Sequence, residues 1–421
     1  MKKVFFTLIT LAGIAFISAS HAGQLEVGVA TVDITPKQGV ESVTGMSGKT
    51  AVVDKIHDNL YAKAIVFKNG EQSVAIITLE LIVFRTEYLD RIRSEVSQKT
   101  GIKNVICAVT HTHGSGSPSG EVAERIISQA IDAAVAANAT VEPAKIGYGQ
   151  GVWNGGYNRR IIKEDGTVEM LWNNSDRVDT SPVDDEVGVV LIQRADDSST
   201  LATLVNYAVH PVISMNFEEL IISADYPGAM ARKLEERLGG TCIYFMGASG
   251  DINPYDADMF RFATPEQVFA SVDQLGEELA TEVQKVASKI SASLADVSLK
   301  FDAYSLDLAR RENGPHGEKD VVVEVDTFLI DQQLAFVSLP GEMFVELGMD
   351  LKKRSPAEMT FVITCANQYL RYVPTIQAAC EGGYGASSGT LLEVGAGELM
   401  IHKALVSLRH QMGQVKPLEP R

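Results

Sequence analysis

Four apolar segments of the chain each end close to a side chain that can bind a metal ion. His111 and His113 follow residues 104–110, His210 follows 201–209, Glu342 follows 334–339, and both Tyr369 and Tyr372 follow 360–364. Short β-branched runs closed by Gly or Pro predict buried strands. Because sites in open α/β sheets form at the carboxyl ends of strands, we expect these side chains to converge. Imidazoles with a carboxylate and a phenol suit zinc with an open position for water, which favours a hydrolase.

The spacing of His111 and His113 is informative because they are two residues apart. If the strand stays extended through residue 112, both imidazoles point to one face of the sheet. One can then bind the metal while the other transfers protons. Taken alone, His210 fits a buried histidine and Glu342 fits a helix N-terminal carboxylate. Only together, at equivalent strand ends, do these residues indicate a metal site.

Other segments add polar side chains to the same rim. Residues 245–254 predict a strand followed by a tight turn that carries Asp251 and Asn253. Asp225 precedes a predicted helix and is expected to cap it. Residues 152–182, with both tryptophans, are long for an irregular loop and fit either a substrate-binding lid or a surface excursion. The sequence contains no G-x-x-x-x-G-K-[ST] phosphate-binding P-loop.

Strand-like and helix-like patterns alternate along the chain. This predicts an α/β fold with a mixed β-sheet core, flanking helices and a metal site in the loops at strand ends. Strands are predicted at residues 61–67, 73–80, 186–192, 201–209, 241–245, 321–331 and 333–339. Helices are predicted at residues 86–98, 120–137, 227–238, 264–290 and 394–412, the fourth opened by the capping-box sequence Thr264-Pro-Glu-Gln267.

The N-terminal residues have the form of a secretory signal. Lys2 and Lys3 precede an apolar stretch, and Ser20-His-Ala22 has the small-x-small form of a cleavage site. We expect cleavage near Ala22, a single domain over residues 23–421, and a periplasmic or secreted protein; the alternative is a retained N-terminal anchor. No later segment is apolar enough to predict a transmembrane helix.

Without the two signal lysines, the chain has 35 basic and 54 acidic residues, a formal charge of −19. This charge argues against nucleic acid and anionic lipid as partners.

The four cysteines give no thiolate metal motif, since no C-x-x-C spacing occurs. Cys107 and Cys242 lie in apolar runs and are expected to be buried thiols. Cys365 and Cys380 flank Tyr372, and in an exported protein they could form a disulfide.

A set of short sequences occurs in order along nearly the whole chain: VGVATVDITP at 27–36, HDNLYAKA at 57–64, THTH at 110–113, AVHP at 208–211, GD at 250–251, PGE at 340–342, and Tyr372 followed by YGAS at 384–387. In these sequences the chain resembles the catalytic domain of the neutral/alkaline (non-lysosomal) ceramidase family. The family is a zinc amidase that splits ceramide into sphingosine and a fatty acid. The resemblance implies the zinc ligands His111, His210, Glu342 and Tyr372. It also implies His113 as acid/base, Tyr384 as the oxyanion donor, and Asp251 as a further catalytic residue.

The resemblance has two departures. Gly247 stands where the family has an active-site serine, and the family's C-terminal β-sandwich domain is not expected in this chain. We therefore expect an exported zinc amidohydrolase that cleaves ceramide or a related N-acylated small molecule or lipid through a zinc-bound water. The alternatives are a zinc esterase or lactonase with the same site, and a non-catalytic periplasmic binding protein of the same fold.

Overall fold

The computed structural model describes residues 22–70, 72–215, 220–311 and 320–416. Two mixed β-sheets share a hydrophobic core, and helices cover the outer face of each sheet. The predicted α/β class with a mixed β-sheet core and flanking helices is confirmed. The predicted signal peptide lies outside the described residues except for Ala22.

The helices and strands are numbered in chain order. The strands are β1 (Gly23–Gln24), β2 (Glu26–Asp33), β3 (Ser42–Thr44), β4 (Thr50–Val52), β5 (Lys55–Ile56), β6 (Tyr61–Lys68), β7 (Ser73–Leu79), β8 (Asn104–Val109), β9 (Glu142–Val152), β10 (Gly156–Asn158), β11 (Arg160–Ile162), β12 (Val168–Met170), β13 (Glu186–Arg194), β14 (Thr200–Tyr207), β15 (Ile221–Ile222), β16 (Thr241–Met246), β17 (Ile252–Pro254), β18 (Asp296–Val297), β19 (Leu299–Leu308), β20 (Val321–Ile330), β21 (Leu334–Ser338), β22 (Glu342–Met343), β23 (Met359–Ile363) and β24 (Tyr372–Val373). The helices are α1 (Thr86–Thr100), α2 (Gly120–Ala139), α3 (Asp225–Leu238), α4 (Pro265–Ala287), α5 (Val345–Arg354), α6 (Ile376–Glu381) and α7 (Ala396–Gln411), with a 3-10 turn at Met259–Arg261.

The larger sheet has eight strands in the order β16-β14-β13-β9-β2-β6-β7-β8. Its pairs are antiparallel except for the parallel pairs at its two ends, β14 with β16 and β7 with β8. The sheet curls, so that β16 at one end lies close to β7 and β8 at the other. The smaller sheet has the order β19-β20-β21-β23 and also ends in a parallel pair, β21 with β23.

Alternation along the strands explains why the larger sheet is apolar on both faces. In β6, Ala64 and Val66 pack under the helices, whereas Ile65 and Phe67 face the smaller sheet. Successive side chains of a strand point to opposite faces, so a sheet covered on both sides needs apolar residues throughout. Helices α1 to α4 cover the outer face of the larger sheet, and α5 and α7 cover that of the smaller.

The helix predictions are confirmed within a few residues at their ends. The capping box of α4 forms, since the Thr264 side chain accepts from Gln267 N and the Gln267 side chain accepts from Thr264 N. Helix α3 begins at Asp225 itself, and its N-cap residue Ala224 makes no side-chain cap. The prediction of Asp225 as the N-cap is therefore wrong, because its carboxylate is engaged elsewhere.

Two other expectations need correction. Residues 152–182 are not without regular structure, because they contain β10, β11 and β12. Cys365 and Cys380 do not pair: all four cysteines are free, with Cys365 buried and Cys380 exposed on α6. Cys107 and Cys242 are buried thiols, as predicted. Within the described part of the chain, every helix is too short or too polar to cross a bilayer.

Candidate active site

Three buried side chains point their ligand atoms at one another. The Nε2 atoms of His111 and His210 lie 3.3 Å and 3.2 Å from Oε2 of Glu342. None of these three atoms has a hydrogen-bond partner, and the three residues are at most 2% exposed. Buried polar atoms are almost always paired, so this unpartnered group is the arrangement expected of a metal site.

Backbone carbonyls fix the opposite side of both imidazoles. His111 Nδ1 lies 2.6 Å from Ile82 O, and His210 Nδ1 lies 2.7 Å from Ser249 O. Because a carbonyl can only accept, Nδ1 of each ring carries the proton and donates it. In its neutral form, each ring therefore directs the lone pair of Nε2 towards the space beside Glu342 Oε2, where a cation could bind. This orientation by outer contacts is typical of metal-binding histidines.

The parallel strand pairs explain why these residues meet. His111 follows β8 and is oriented by the loop after β7, whereas His210 follows β14 and is oriented by the loop after β16. Glu342 follows β21, and in the short ladder of β22 with β24 it pairs with Tyr372, which follows β23. The carboxyl ends of three parallel pairs, from two sheets, thus form the site.

The strand that leads to the His-x-His pair ends earlier than the sequence suggested. Strand β8 stops at Val109, and His111 has a left-handed backbone with φ 63°. The condition of an extended chain through residue 112, on which the one-face geometry depended, is therefore not met. The imidazoles still lie together, with ring centroids 5.0 Å apart, because the chain turns at His111.

His113 lies beside the other two histidines, but no backbone carbonyl bonds its ring. Its ring centroid is 5.6 Å from that of His210, and both its nitrogens are buried without a hydrogen-bond partner. The ligand atoms of the three histidines lie within 4.8 Å of one another, so the cluster could hold a metal ion. Burial, reinforced by His111 and His210, holds the pKa of His113 well below its usual range. Its imidazole is therefore neutral at neutral pH and can accept a proton.

Burial and mutual attraction set the charges of the metal-free cluster. Burial alone would raise the pKa of Glu342, but His111 and His210 hold it well below its usual value. Burial alone would lower the pKa of His111, but the Glu342 carboxylate raises it well above normal. Burial lowers the pKa of His210 to about 4. Without metal, the cluster is therefore a buried ion pair of His111 and Glu342, and a bound cation would displace the His111 proton.

Two tyrosines of the loop after β23 border Glu342. The Tyr369 hydroxyl donates to Glu342 Oε1 at 2.9 Å, whereas Oε2 faces the two imidazoles. Tyr372 is 7% exposed, and its ring lies 6.4 Å from that of His210. The sequence placed both tyrosines at this strand end, but it did not predict that Tyr369 would bond Glu342, since nothing in the sequence distinguishes its role from that of Tyr372.

A cleft of about 210 Å³ opens beside His113. One wall is polar and aromatic, formed by Arg159, Trp172, Tyr372 and Tyr384. The rest of the lining forms a largely apolar wall that includes Met46, Val212, Met215, Ala257 and Phe260, together with the polar Asn253, Asp258 and Arg261. The cleft therefore suits a ligand that combines an apolar group with a polar centre.

Arg159 is a buried cation that sequence reasoning did not assign to the site. It is 4% exposed, and its guanidinium carbon lies 5.4 Å from the ring centroids of Trp172, Tyr372 and Tyr384. It donates to Asn253 Oδ1 and to Gly250 O, while its Nε is unpartnered. The only signal in the sequence was its place in the tryptophan-containing segment.

Asp251 and Tyr384 occupy different positions around this cluster. The Asp251 carboxylate accepts from Val345 N at 2.8 Å and from Asn158 Nδ2 at 3.1 Å, at the start of α5. Both of its oxygens are thus engaged, one by a backbone N–H and the other by a side-chain amide. Tyr384 is 41% exposed at the cleft, with its ring 5.2 Å from that of Tyr372.

Comparison with known proteins decides the family. Residues 25–298, more than half of the chain, match the family described as neutral/alkaline non-lysosomal ceramidase, N-terminal. The chain belongs to this ceramidase family. The candidate metal residues His111 and His210 lie within the matched range, whereas Glu342, Tyr372 and Tyr384 lie beyond it.

Solved ceramidases share the fold at low sequence identity. The crystal structure of neutral ceramidase from Pseudomonas aeruginosa superimposes with a TM-score of 0.75 at 16% identity, covering 94% of this chain and 75% of that chain. A structure described as ceramidase complexed with C2 gives a TM-score of 0.75 at 15% identity, covering 94% and 77%. The comparison with curated proteins gave no match. The chain is thus a ceramidase-like hydrolase with the ceramidase fold.

Proposed function

We propose that the protein is a zinc-dependent amidohydrolase that cleaves the N-acyl bond of ceramide or of a related N-acylated compound. The observation that carries this proposal is the buried, unpartnered group of His111 Nε2, His210 Nε2 and Glu342 Oε2. Family membership supports hydrolysis of an amide, and the apolar wall of the cleft supports an acyl substrate.

The donor set fits zinc. Bonds of 2.0–2.1 Å in a tetrahedral site put ligand atoms about 3.3 Å apart, close to the separations of Glu342 Oε2 from both imidazoles. We assign His111, His210 and Glu342 as ligands, with Tyr372 as a fourth. When bound, zinc would polarise the acyl carbonyl and lower the pKa of a water molecule to near 7. His113 is assigned as the acid/base, although as a third imidazole it is also a candidate ligand.

The remaining roles belong to side chains of the cleft. Neutral His113 accepts the proton of the attacking water and returns it to the leaving amine. The Tyr384 hydroxyl donates to the developing oxyanion, an effect worth about 3 kcal/mol for one donor. Arg159, buried behind the two tyrosines, keeps the local field positive where negative charge develops. The catalytic role of Asp251 stays a prediction; its carboxylate holds the start of α5 and the Asn158 side chain.

Matched amide and ester substrates test this assignment. We expect the zinc-loaded protein to release fatty acid from N-acyl amides, and His113→Gln to reduce kcat about 100-fold or more while zinc stays bound. Hydrolysis of the matched esters alone would favour an esterase or lactonase. A zinc-loaded protein that binds N-acyl compounds without turnover would identify a binding protein. Equal kcat for His113→Gln and the wild type would refute the role of His113.

We also propose that residues 1–22 are a signal peptide, that the protein is exported to the periplasm or beyond, and that residues 23–421 form one domain. The basic and apolar N-terminal sequence and the Ser20-His-Ala22 site support this proposal. N-terminal sequencing of the exported protein should give Gly23 as the first residue. An intact Met1 in a membrane fraction would indicate a retained anchor.

A further inference from the structure

The orientation of His113 is not set by hydrogen bonds from its own ring. Both ring nitrogens are buried without a partner, whereas His111 and His210 are each held by a backbone carbonyl. The position of the His113 imidazole therefore depends on the backbone turn that carries it. We call residues 111–116 the His113 turn.

The turn is held by two neighbouring segments. His113 N donates to Pro211 O at 3.0 Å, in the segment that follows His210. Thr112 Oγ1 donates to Ser223 O at 2.8 Å, and Ser223 N donates back to Gly114 O at 3.0 Å. The turn is thus clamped between residues 210–215 and the chain that enters α3.

Asp225 joins these two segments. Its carboxylate is fully buried, and Oδ2 accepts from both N and Oγ of Ser214 at 2.6 Å. Oδ1 accepts from Tyr226 N at 2.7 Å, and the residue has a left-handed backbone with φ 57°. Hydrogen bonds to a charged, buried acceptor are among the stronger ones in proteins, so this contact fixes Ser214 firmly.

Ser214 in turn packs directly on the residue after His113. A Cβ atom built on Gly114 would lie 2.4 Å from Ser214 Oγ and 2.7 Å from Ser223 O. Only glycine fits there, because any other residue would clash with both. The contact therefore transmits the position of Ser214 to the backbone next to His113.

We propose that Asp225 is a positioning residue for His113, acting through Ser214 and Gly114. Asp225 does not line the cleft or join the metal group, so its effect on catalysis is indirect. The catalytic part of this inference rests on the proposed role of His113 as acid/base. The structural part, the dependence of the imidazole on Asp225, stands independently.

The test compares Asp225→Ala, Ser214→Ala and the double variant, all zinc-loaded. Asp184→Ala is the control, since Asp184 is a buried carboxylate that bonds Lys352 instead of the His113 turn. Imidazole signals are recorded by NMR on protein labelled at histidine, and those of His113 are assigned by their loss in His113→Gln. Zinc content, kcat and KM are measured on the same samples.

We expect the His113 signals to move and broaden in Asp225→Ala, and to move less in Ser214→Ala, which keeps the backbone bond to Oδ2. We expect kcat to fall about 10-fold to 100-fold with KM and zinc content nearly unchanged, because small misplacement of a catalytic group is costly. The double variant should show the same His113 signals and the same kcat as Asp225→Ala, since both substitutions break the same connection.

Wild-type His113 signals in folded Asp225→Ala, or equal changes in Asp184→Ala, would overturn the proposal. If Asp225→Ala does not fold, Ser214→Ala decides, and unchanged signals there would overturn it as well. If the wild type hydrolyses neither amides nor esters, the proposed function fails, while the imidazole signals still decide whether Asp225 positions His113.

Discussion

Replacing Tyr369 by Phe removes a single hydroxyl from the contacts of Glu342. That hydroxyl donates to Oε1 at 2.9 Å, on the side of the carboxylate away from the two imidazoles. Glu342 is 2% exposed, so water cannot easily replace the lost donor. A hydrogen bond to a charged group contributes about 1.5–3 kcal/mol. We therefore expect Tyr369→Phe to weaken zinc binding about 10-fold to 100-fold, the range found for outer contacts of metal ligands.

The assay is a competition titration of zinc against a chromogenic chelator at fixed pH. Tyr148→Phe is the matched control, because the Tyr148 hydroxyl bonds Gln333 and Glu358 on the surface of the smaller sheet. It should leave zinc affinity unchanged. An unchanged Kd in Tyr369→Phe, with the protein folded, would refute the view that Glu342 is a metal ligand held by Tyr369.

Three further predictions concern stability and thiol chemistry. Burial, opposed by Lys63, raises the pKa of Glu80 from 4.5 to about 7. A carboxyl group whose pKa is raised on folding stabilises the folded state below pH 4.5, and this contribution is lost as the pH rises through 7. The free energy of unfolding of Glu80→Gln, measured by urea titration, should therefore rise by up to about 3 kcal/mol relative to that of the wild type between pH 4.5 and pH 8. A difference that does not change with pH would contradict this. Gly247→Ser should lower the free energy of unfolding by about 1–3 kcal/mol, because a Cβ there lies 3.0 Å from that of Ala208, and Ala208→Gly should restore part of the loss. A maleimide reagent should label one thiol of the native protein, at Cys380, and all four after unfolding; a native protein that reacts only after reduction would indicate a disulfide.

Local sequence patterns predicted the strands that are buried on both faces and most of the long helices, because their apolar residues form clear runs. They missed β2, β9 and β19, whose residues are largely half-buried or exposed, and helix α5. They could not predict two sheets. Whether β21 and β23 join the strands of the first half of the chain depends on long-range pairing, which no local pattern specifies. The curl that brings β16 near β8 is likewise a property of the assembled sheet.

The candidate site was predictable as far as strand ends indicate where loops converge. The sequence singled out His111, His210 and Glu342, which the structure brings together, because each follows an apolar strand. It could not show Arg159 inside the aromatic wall, since that position depends on how residues 152–182 fold over the cleft. It also gave Asp225 a local role, whereas its carboxylate bonds a segment eleven residues earlier in the chain.

The proposed function depends on a zinc ion bound by His111, His210 and Glu342. Anomalous diffraction from crystals of the protein at the zinc edge tests it most directly. We expect one strong peak about 2 Å from Nε2 of both histidines and from Oε2 of Glu342, with one zinc per chain in solution and its loss in His111→Ala. A zinc peak elsewhere, or full zinc content in His111→Ala, would contradict the account.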